Sequence, residues 1–224
     1  MALNVKPQVS ELVEATQERP RVVLADDHAL LLDAFEKLLT PQFHVVGKAT
    51  DGRSLLTLAE QVHPDVVVLD MMMPCLNGLD AARQLRERHA HLGLVFLTMM
   101  EDPEIAAETI RLGACGYVLK RSAASELVSA IREVLRKRSY VTPLITGDVI
   151  EVLQRAEPDR HRDLTTRQRE ILQLIAEGQS MKAIADILYI TPRTVAYHKY
   201  RMMEELHIST TAQLIQFAVK QRVV

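Results

Sequence analysis

The 224-residue sequence predicts an α/β fold. A five-stranded parallel, doubly wound domain spans residues 21–138, and an all-α four-helix domain spans 164–224. Three observations carry this reading. Short Val/Leu-rich runs alternate with segments of helical spacing from Arg21 to Arg138. The runs are apolar throughout rather than at every second position, which is the pattern of strands covered on both faces. Beyond residue 163 the strand pattern stops and only helical spacing remains.

Taken in order, RVVLADD is a first short run ending in acids, and ALLLDAFEKLL is its helix. FHVVGKA and GRSLLTLAEQV form the second pair, and PDVVVLD with GLDAARQLRERH the third. LGLVFLT with PEIAAETIRLG and GYVLK with SELVSAIREVLRK complete five strand–helix units. The stretch 139–163, SYVTPLITGDVIEVLQRAEPDRHRD, holds Pro143, Gly147, Pro158 and a charged run. It reads as an interdomain connection with one short helix across Asp148–Ala156. Four helical segments follow: LTTRQREILQLIAEG, QSMKAIADILYI, TPRTVAYHKYRMMEEL and STTAQLIQFAVKQ. Thr165 with Gln168, and Thr210 with Gln213, have the spacing of capping boxes. Gly178 suits a left-handed helix end, and Thr191-Pro192 an N-cap followed by proline in the first turn.

Composition narrows the function classes. No apolar run approaches the roughly 20 residues a bilayer crossing needs, and the first twenty residues lack the core of a secretory signal, so no membrane partner is expected. Two cysteines, Cys75 and Cys115, make no disulfide framework and point to a reducing, cytoplasmic compartment. The net charge of −2 is uneven: residues 1–159 carry −6 and residues 160–224 carry +4. A basic tail behind an acidic body hints at nucleic acid, although a difference this small often reflects only the surface.

Sites in open parallel sheets lie beyond the carboxyl ends of the strands. Four predicted strands end in reactive groups: Asp26-Asp27, Asp70, Thr98 and Lys120. With the first, third, fourth and fifth strands side by side, three carboxylates, a hydroxyl and an ammonium meet at one edge. One strand-end acid alone is ordinarily just solvated; five such groups together are harder to dismiss. Crowded carboxylates need a counter-charge, and oxygen ligands suit Mg²⁺. A carboxylate can attack phosphorus to give an aspartyl-phosphate, with the lysine opposing the charge that develops. Pro74 and Asn77-Gly78 supply turn chemistry after Asp70. His28, beside the acids, reads as a surface histidine, and Met71–Met73 as loop filler.

With these residues in place, segment 21–138 resembles the flavodoxin-like receiver domain of bacterial response regulators. The resemblance rests on Asp26-Asp27, Asp70 before MMMPCLNG, Thr98, Lys120 and Tyr117. It implies that Asp70 is the phospho-acceptor. Asp27, Asp70 and the backbone carbonyl of Met72 would ligate Mg²⁺, with Asp26 acting largely through water, and Thr98 and Tyr117 would form a switch pair. Arg121 departs from the family pattern, since many receivers carry proline there.

In the third C-terminal helix Val195, His198, Met202 and Leu206 recur at spacings of three and four, a buried seam. Preceded by a short helix and a turn, this fits a helix-turn-helix whose second helix enters the major groove. A dimerisation bundle is the bland alternative. The segment resembles the LuxR-type DNA-binding domain, and the whole chain the NarL/FixJ family of response regulators. By that resemblance Ala196, Tyr197 and Tyr200 face bases. Lys182, Arg193, Lys199 and Arg201 are candidates for phosphate contact, Thr194 belongs to the same interface, and Thr211–Val219 would be a dimer contact. Ala196 stands where the family often has lysine, and Glu204-Glu205 where it has basic residues, so weak DNA affinity of a monomer is expected.

These readings converge on a two-component transcription factor rather than a metabolic enzyme. A histidine kinase would phosphorylate Asp70 with Mg²⁺ bound, controlling homodimerisation or release of an occluded recognition helix. An aspartyl phosphatase, the enzymatic rival, needs an acid two residues beyond its nucleophile, and here that position is Met72. An interaction module that does not bind DNA is the other rival.

Overall fold

The computed structural model describes residues 19–113, 115–154, 164–221 and 223–224. Strands β1 (Arg21–Ala25), β2 (His44–Ala49), β3 (Val66–Asp70), β4 (Gly93–Thr98) and β5 (Cys115–Leu119) alternate with helices α1 (Ala29–Leu39), α2 (Gly52–Val62), α3 (Gly78–Arg88), α4 (Pro103–Arg111) and α5 (Ala123–Leu135). All strand pairs are parallel, in the order β2-β1-β3-β4-β5-β6. The sheet therefore has six strands rather than the five expected from sequence. The additional strand, β6 (Tyr140–Val141), pairs with β5 through Gly116↔Tyr140 and Tyr117↔Val141.

Side chains of each strand divide by parity between two cores, as the pleat requires. Val23, Val67, Leu69, Leu94, Phe96 and Tyr117 face α2, α3 and α4. Val22, Leu24, Val66, Val68, Val95 and Leu97 face α1 and α5. β3 and β4 are buried along their whole length, which explains why they read as unbroken apolar runs. Helix placement reverses between β1 and β3, the crevice where such sheets bind ligands.

The stretch expected as an irregular connection also needs correction. After β6 comes helix α6 (Pro143–Gln154), which starts earlier than the helix expected from Asp148. Its buried Ile145, Val149 and Val152 extend the core shared with α4. A two-residue strand and a helix interrupted by Gly147 give too short a pattern to be separated from a loop by periodicity. Ala156, and the rest of the connection over 155–163, lie outside the described residues, as does the N-terminal segment 1–18.

Four helices complete the chain: α7 (Thr166–Ala176), α8 (Met181–Leu188), α9 (Pro192–Glu205) and α10 (Thr211–Lys220). They share a separate core built on Leu172, Ile184, Val195, Met202, Leu214 and Ala218. Both capping boxes form, at Thr165/Gln168 and Thr210/Gln213. Thr191 caps α9 ahead of Pro192, and Gly178 takes φ +80° after α7. Each such cap supplies about 1 kcal/mol, enough to fix where short helices begin. Among the described residues, no helix is long and apolar enough to cross a membrane.

Candidate functional site

Register assembles the site. Ala25 pairs with Leu69, so the residues that follow, Asp26 and Asp70, emerge side by side. Thr98 pairs with Leu119, which puts Lys120 next along the same edge. Lys120 Nζ lies 2.6 Å from Asp26 Oδ2 and 2.9 Å from Asp70 Oδ2. The approach to Asp26 is a charge pair off the hydrogen-bond direction, whereas that to Asp70 is a hydrogen bond. Asp26 and Asp70 are buried, and Asp27 is exposed. Burial pushes the Asp70 carboxyl above its ordinary range, against the pull of Lys120 and of the Met72 backbone N–H. Burial also works to lower the Lys120 ammonium, but its pairing with Asp26 and its hydrogen bond to Asp70 outweigh this and hold it above its usual value. The lysine is thus a permanent cation between two acids.

His28 takes a part the sequence reading did not give it. As the N-cap of α1 it turns its ring back, with Nδ1 3.2 Å from Asp26 Oδ1 and 2.7 Å from Asp27 Oδ1. Its backbone N–H also donates to Asp26 Oδ1 at 2.9 Å. The only signal was its adjacency to the acids. Among the described residues, the acid and imidazole ligand atoms within 4.8 Å of one another are those of Asp26, Asp27 and His28. Asp70 stands outside that set, tied to Lys120. The oxygen donors fit a hard divalent cation such as Mg²⁺, with Asp26 and Asp27 on one loop and Asp70 on the neighbouring strand.

The loop after Asp70 is tightly closed. Gly78 N–H donates to Met71 O at 2.8 Å. A Cβ at position 78 would lie 2.0 Å from Asp70 O, so this approach requires glycine. Between them Cys75 adopts φ +65°, an uncommon conformation for a residue with a side chain. Met72, whose carbonyl the sequence reading assigned to the metal, is partly exposed at the loop's start.

Thr98 and Tyr117 are connected through Met100. Thr98 Oγ1 accepts from Met100 N–H at 3.0 Å, and Tyr117 Oη donates to Met100 O at 2.9 Å. Both residues are buried. The Tyr117 carbonyl accepts the Thr142 N–H, and Thr142 Oγ1 accepts from Leu119 N–H. The pair therefore joins the Asp70 edge to β6 and the start of α6. At Arg121, the departure noted in the sequence, residues Lys120–Ser122 form a short 3-10 turn with every peptide bond trans among the described residues.

On α9, Val195 and Met202 are buried and His198 and Leu206 are half-buried, as the seam predicted. Arg193, Tyr197, Tyr200 and Arg201 are exposed, Thr194, Ala196 and Lys199 half-buried, and Lys182 on α8 exposed. Tyr197 and Tyr200 are 57% and 61% exposed, so neither packs wholly on a neighbouring helix. Arg201 is engaged by Glu205 Oε1 at 2.8 Å and Tyr197 Oη at 3.2 Å. Glu205 also accepts from Gln168 Nε2. The acid that seemed misplaced beside DNA thus orients an arginine and joins α9 to α7.

Comparison with known proteins matches both units. Residues 22–132 match the response regulator receiver domain. Residues 162–218 match the bacterial regulatory proteins of the luxR family. The chain is 36% identical over 208 residues to a probable transcriptional regulatory protein NarL of Mycobacterium tuberculosis, covering 92% of this chain and 96% of that protein. It is likewise 36% identical over 212 residues to the transcriptional regulatory protein MctR of Rhizobium johnstonii, covering 92% and 97%. A solved structure of the Salmonella typhimurium RcsB response regulator, described in terms of its conformational dynamism for DNA interaction, is 25% identical. It covers 90% of this chain and 100% of that one, with a TM-score of 0.55.

Proposed function

Because the chain belongs to the NarL/FixJ family of response regulators, a receiver domain joined to a LuxR-type DNA-binding domain, we propose that phosphorylation of Asp70 switches its binding to DNA. The observation that carries this is the Lys120 ammonium held between Asp26 and Asp70 at 2.6 and 2.9 Å. It is positioned to oppose charge on a phosphoryl group joined to Asp70. Asp26, Asp27, Asp70 and the Met72 carbonyl would hold Mg²⁺, which when bound offsets the charge of an incoming phosphoryl donor. The donor is a histidine kinase, acting in the cytoplasm. Thr98 Oγ1 would turn toward the phosphoryl oxygens. That turn releases the Met100 N–H, and Tyr117 answers through Met100 O. Met72 at the second position after Asp70 cannot move protons, so the acyl phosphate persists long enough to signal.

The output is homodimerisation on DNA, with α9 in the major groove. Tyr197 and Tyr200 are exposed on α9, which supports dimerisation rather than the uncovering of a buried recognition helix as the step that phosphorylation controls. Ala196, Tyr197 and Tyr200 face bases; Lys182, Arg193, Thr194 and Lys199 position the backbone, while Arg201 is held by Glu205 and Tyr197. The test is incubation with acetyl phosphate and Mg²⁺. Wild type acquires an acid-stable, base-labile label, and Asp70→Ala acquires none. Equal labelling of the two proteins removes Asp70 from its role.

A further inference from the structure

The loop that carries the Asp70 site is held from outside its own domain. Gln173, on α7 of the DNA-binding unit, is 2% exposed and spends its whole amide on this loop and its own helix. Its Oε1 accepts from Asn77 N–H at 2.8 Å and from Asn77 Nδ2 at 3.3 Å. Its Nε2 donates to Met73 O at 3.0 Å and to Glu177 Oε1 at 2.8 Å. Glu177 Oε1 in turn accepts the N–H of Cys75, the residue at φ +65°. Main-chain groups at 73, 75 and 77 are therefore satisfied by the side chains of Gln173 on α7 and of Glu177 at its C-cap. At the loop's other end, the Met72 backbone N–H favours the charged form of the Asp70 carboxyl. Two residues separate Asp70 from the first point of a clamp that belongs to the other domain, at Met73 O.

We propose that Gln173 is a positioning residue for phosphorylation of Asp70, and that docking of α7 on the 73–77 loop opposes phosphoryl transfer. This rests on Asp70 being the acceptor. Two physical points set the sign. A phosphoryl group on Asp70 has to be accommodated beside the first residues of this loop, and any shift of the loop costs the bonds to Gln173 and Glu177. Phosphorylation also takes the charge at Asp70 from −1 as a carboxylate to about −1.5 to −2 as an acyl phosphate, while the docked segment presents Glu170 and Glu177 to this domain. Arg53 and Gln84, which contact Glu170, are the groups that answer that charge from α2 and α3. Linkage makes the effect reciprocal: what weakens docking speeds phosphorylation, and phosphorylation weakens docking.

The test uses the full chain with acetyl phosphate and Mg²⁺, following label on Asp70 in wild type, Gln173→Met and Glu177→Gln. Methionine keeps the length of Gln173 and removes its hydrogen bonds. Expected is labelling about five-fold faster in Gln173→Met, the factor that about 1 kcal/mol supplies, and a smaller gain in Glu177→Gln. In parallel, beryllofluoride with Mg²⁺ raises amide hydrogen exchange across residues 73–77 of wild type, a change that a purely structural role for Gln173 does not produce. Equal or slower labelling of Gln173→Met beside a labelled wild type overturns the clamp, as does unchanged exchange at 73–77. A wild type that takes no label at Asp70 overturns the parent reading and the clamp together.

Discussion

The acceptor side chain is held in a conflict that has a measurable signature. Asp70 is 5% exposed, and burial raises its carboxyl pKa from the ordinary value of 3.8, although Lys120 is in hydrogen-bond contact. A raised folded-state pKa means the ionised form is better accommodated unfolded than folded. The cost is absent below the unfolded value, where both states are protonated. It grows as pH rises through the folded value and is constant above it. Asp70→Asn removes the charge, keeps the shape and leaves Lys120 its pairing with Asp26. The variant is therefore expected to melt a few degrees higher than wild type at neutral pH, the shift that about 1 kcal/mol gives in a chain of this size. The difference should shrink toward zero below about pH 4. Thermal melts at pH 7.5 and pH 3.5 check this; a lower melting temperature for Asp70→Asn at neutral pH reverses the sign. Residues of this kind were legible in the sequence because strand ends concentrate them. His28 and Gln173 were not: a histidine beside acids and a glutamine on an amphipathic helix both look like ordinary surface. Only the folded chain shows which oxygen or amide lies opposite.

At the scale of elements, glycines report where backbone approaches backbone. Gly78 starts α3 with room for no Cβ, since the obstructing atoms are Asp70 O at 2.0 Å and Met71 Cα at 2.9 Å. Neither is a flexible side-chain end, so the loop must move. Gly147 lies within α6, is exposed, and would place its Cβ in open space. Alanine should thus have opposite effects at the two positions. Gly78→Ala costs about 1–3 kcal/mol through forced displacement and slows labelling of Asp70, whose carbonyl is the atom struck. Gly147→Ala gains about 0.5–1 kcal/mol from the unfolded chain's lost freedom and the better helix former. Denaturant titration of both variants settles the signs. Among the described residues, the five long strands and nine of the ten α-helices were readable because each has a clear apolar period or cap. β6 was hidden because two residues carry no period, and α6 was blurred because Pro143 and Gly147 made its sequence resemble a connection.

For the whole molecule, the expected strength of DNA binding follows from counting free cations. The last 65 residues carry +4, but Arg201 is already committed to Glu205 and Tyr197, which leaves Lys182, Arg193 and Lys199 as the prepared phosphate contacts. Each neutralised phosphate contributes about −0.9 to the slope of log K against log salt. One protomer should therefore show a slope of about −3, with affinity too weak to hold a site at physiological salt. Two protomers on one duplex should show about −5 to −6. Phosphorylation that drives dimerisation must steepen the salt dependence and make binding sigmoidal in protein concentration, while Lys182→Ala lowers the slope by about 1 per protomer. Fluorescence anisotropy of a labelled duplex, titrated at four salt concentrations with and without acetyl phosphate, measures both quantities. A slope that stays near −3 after Asp70 is fully labelled means the switch acts on each protomer alone. The change at α7 would then have to reach α9 within one chain, through the bond from Gln168 to Glu205 that joins the two helices.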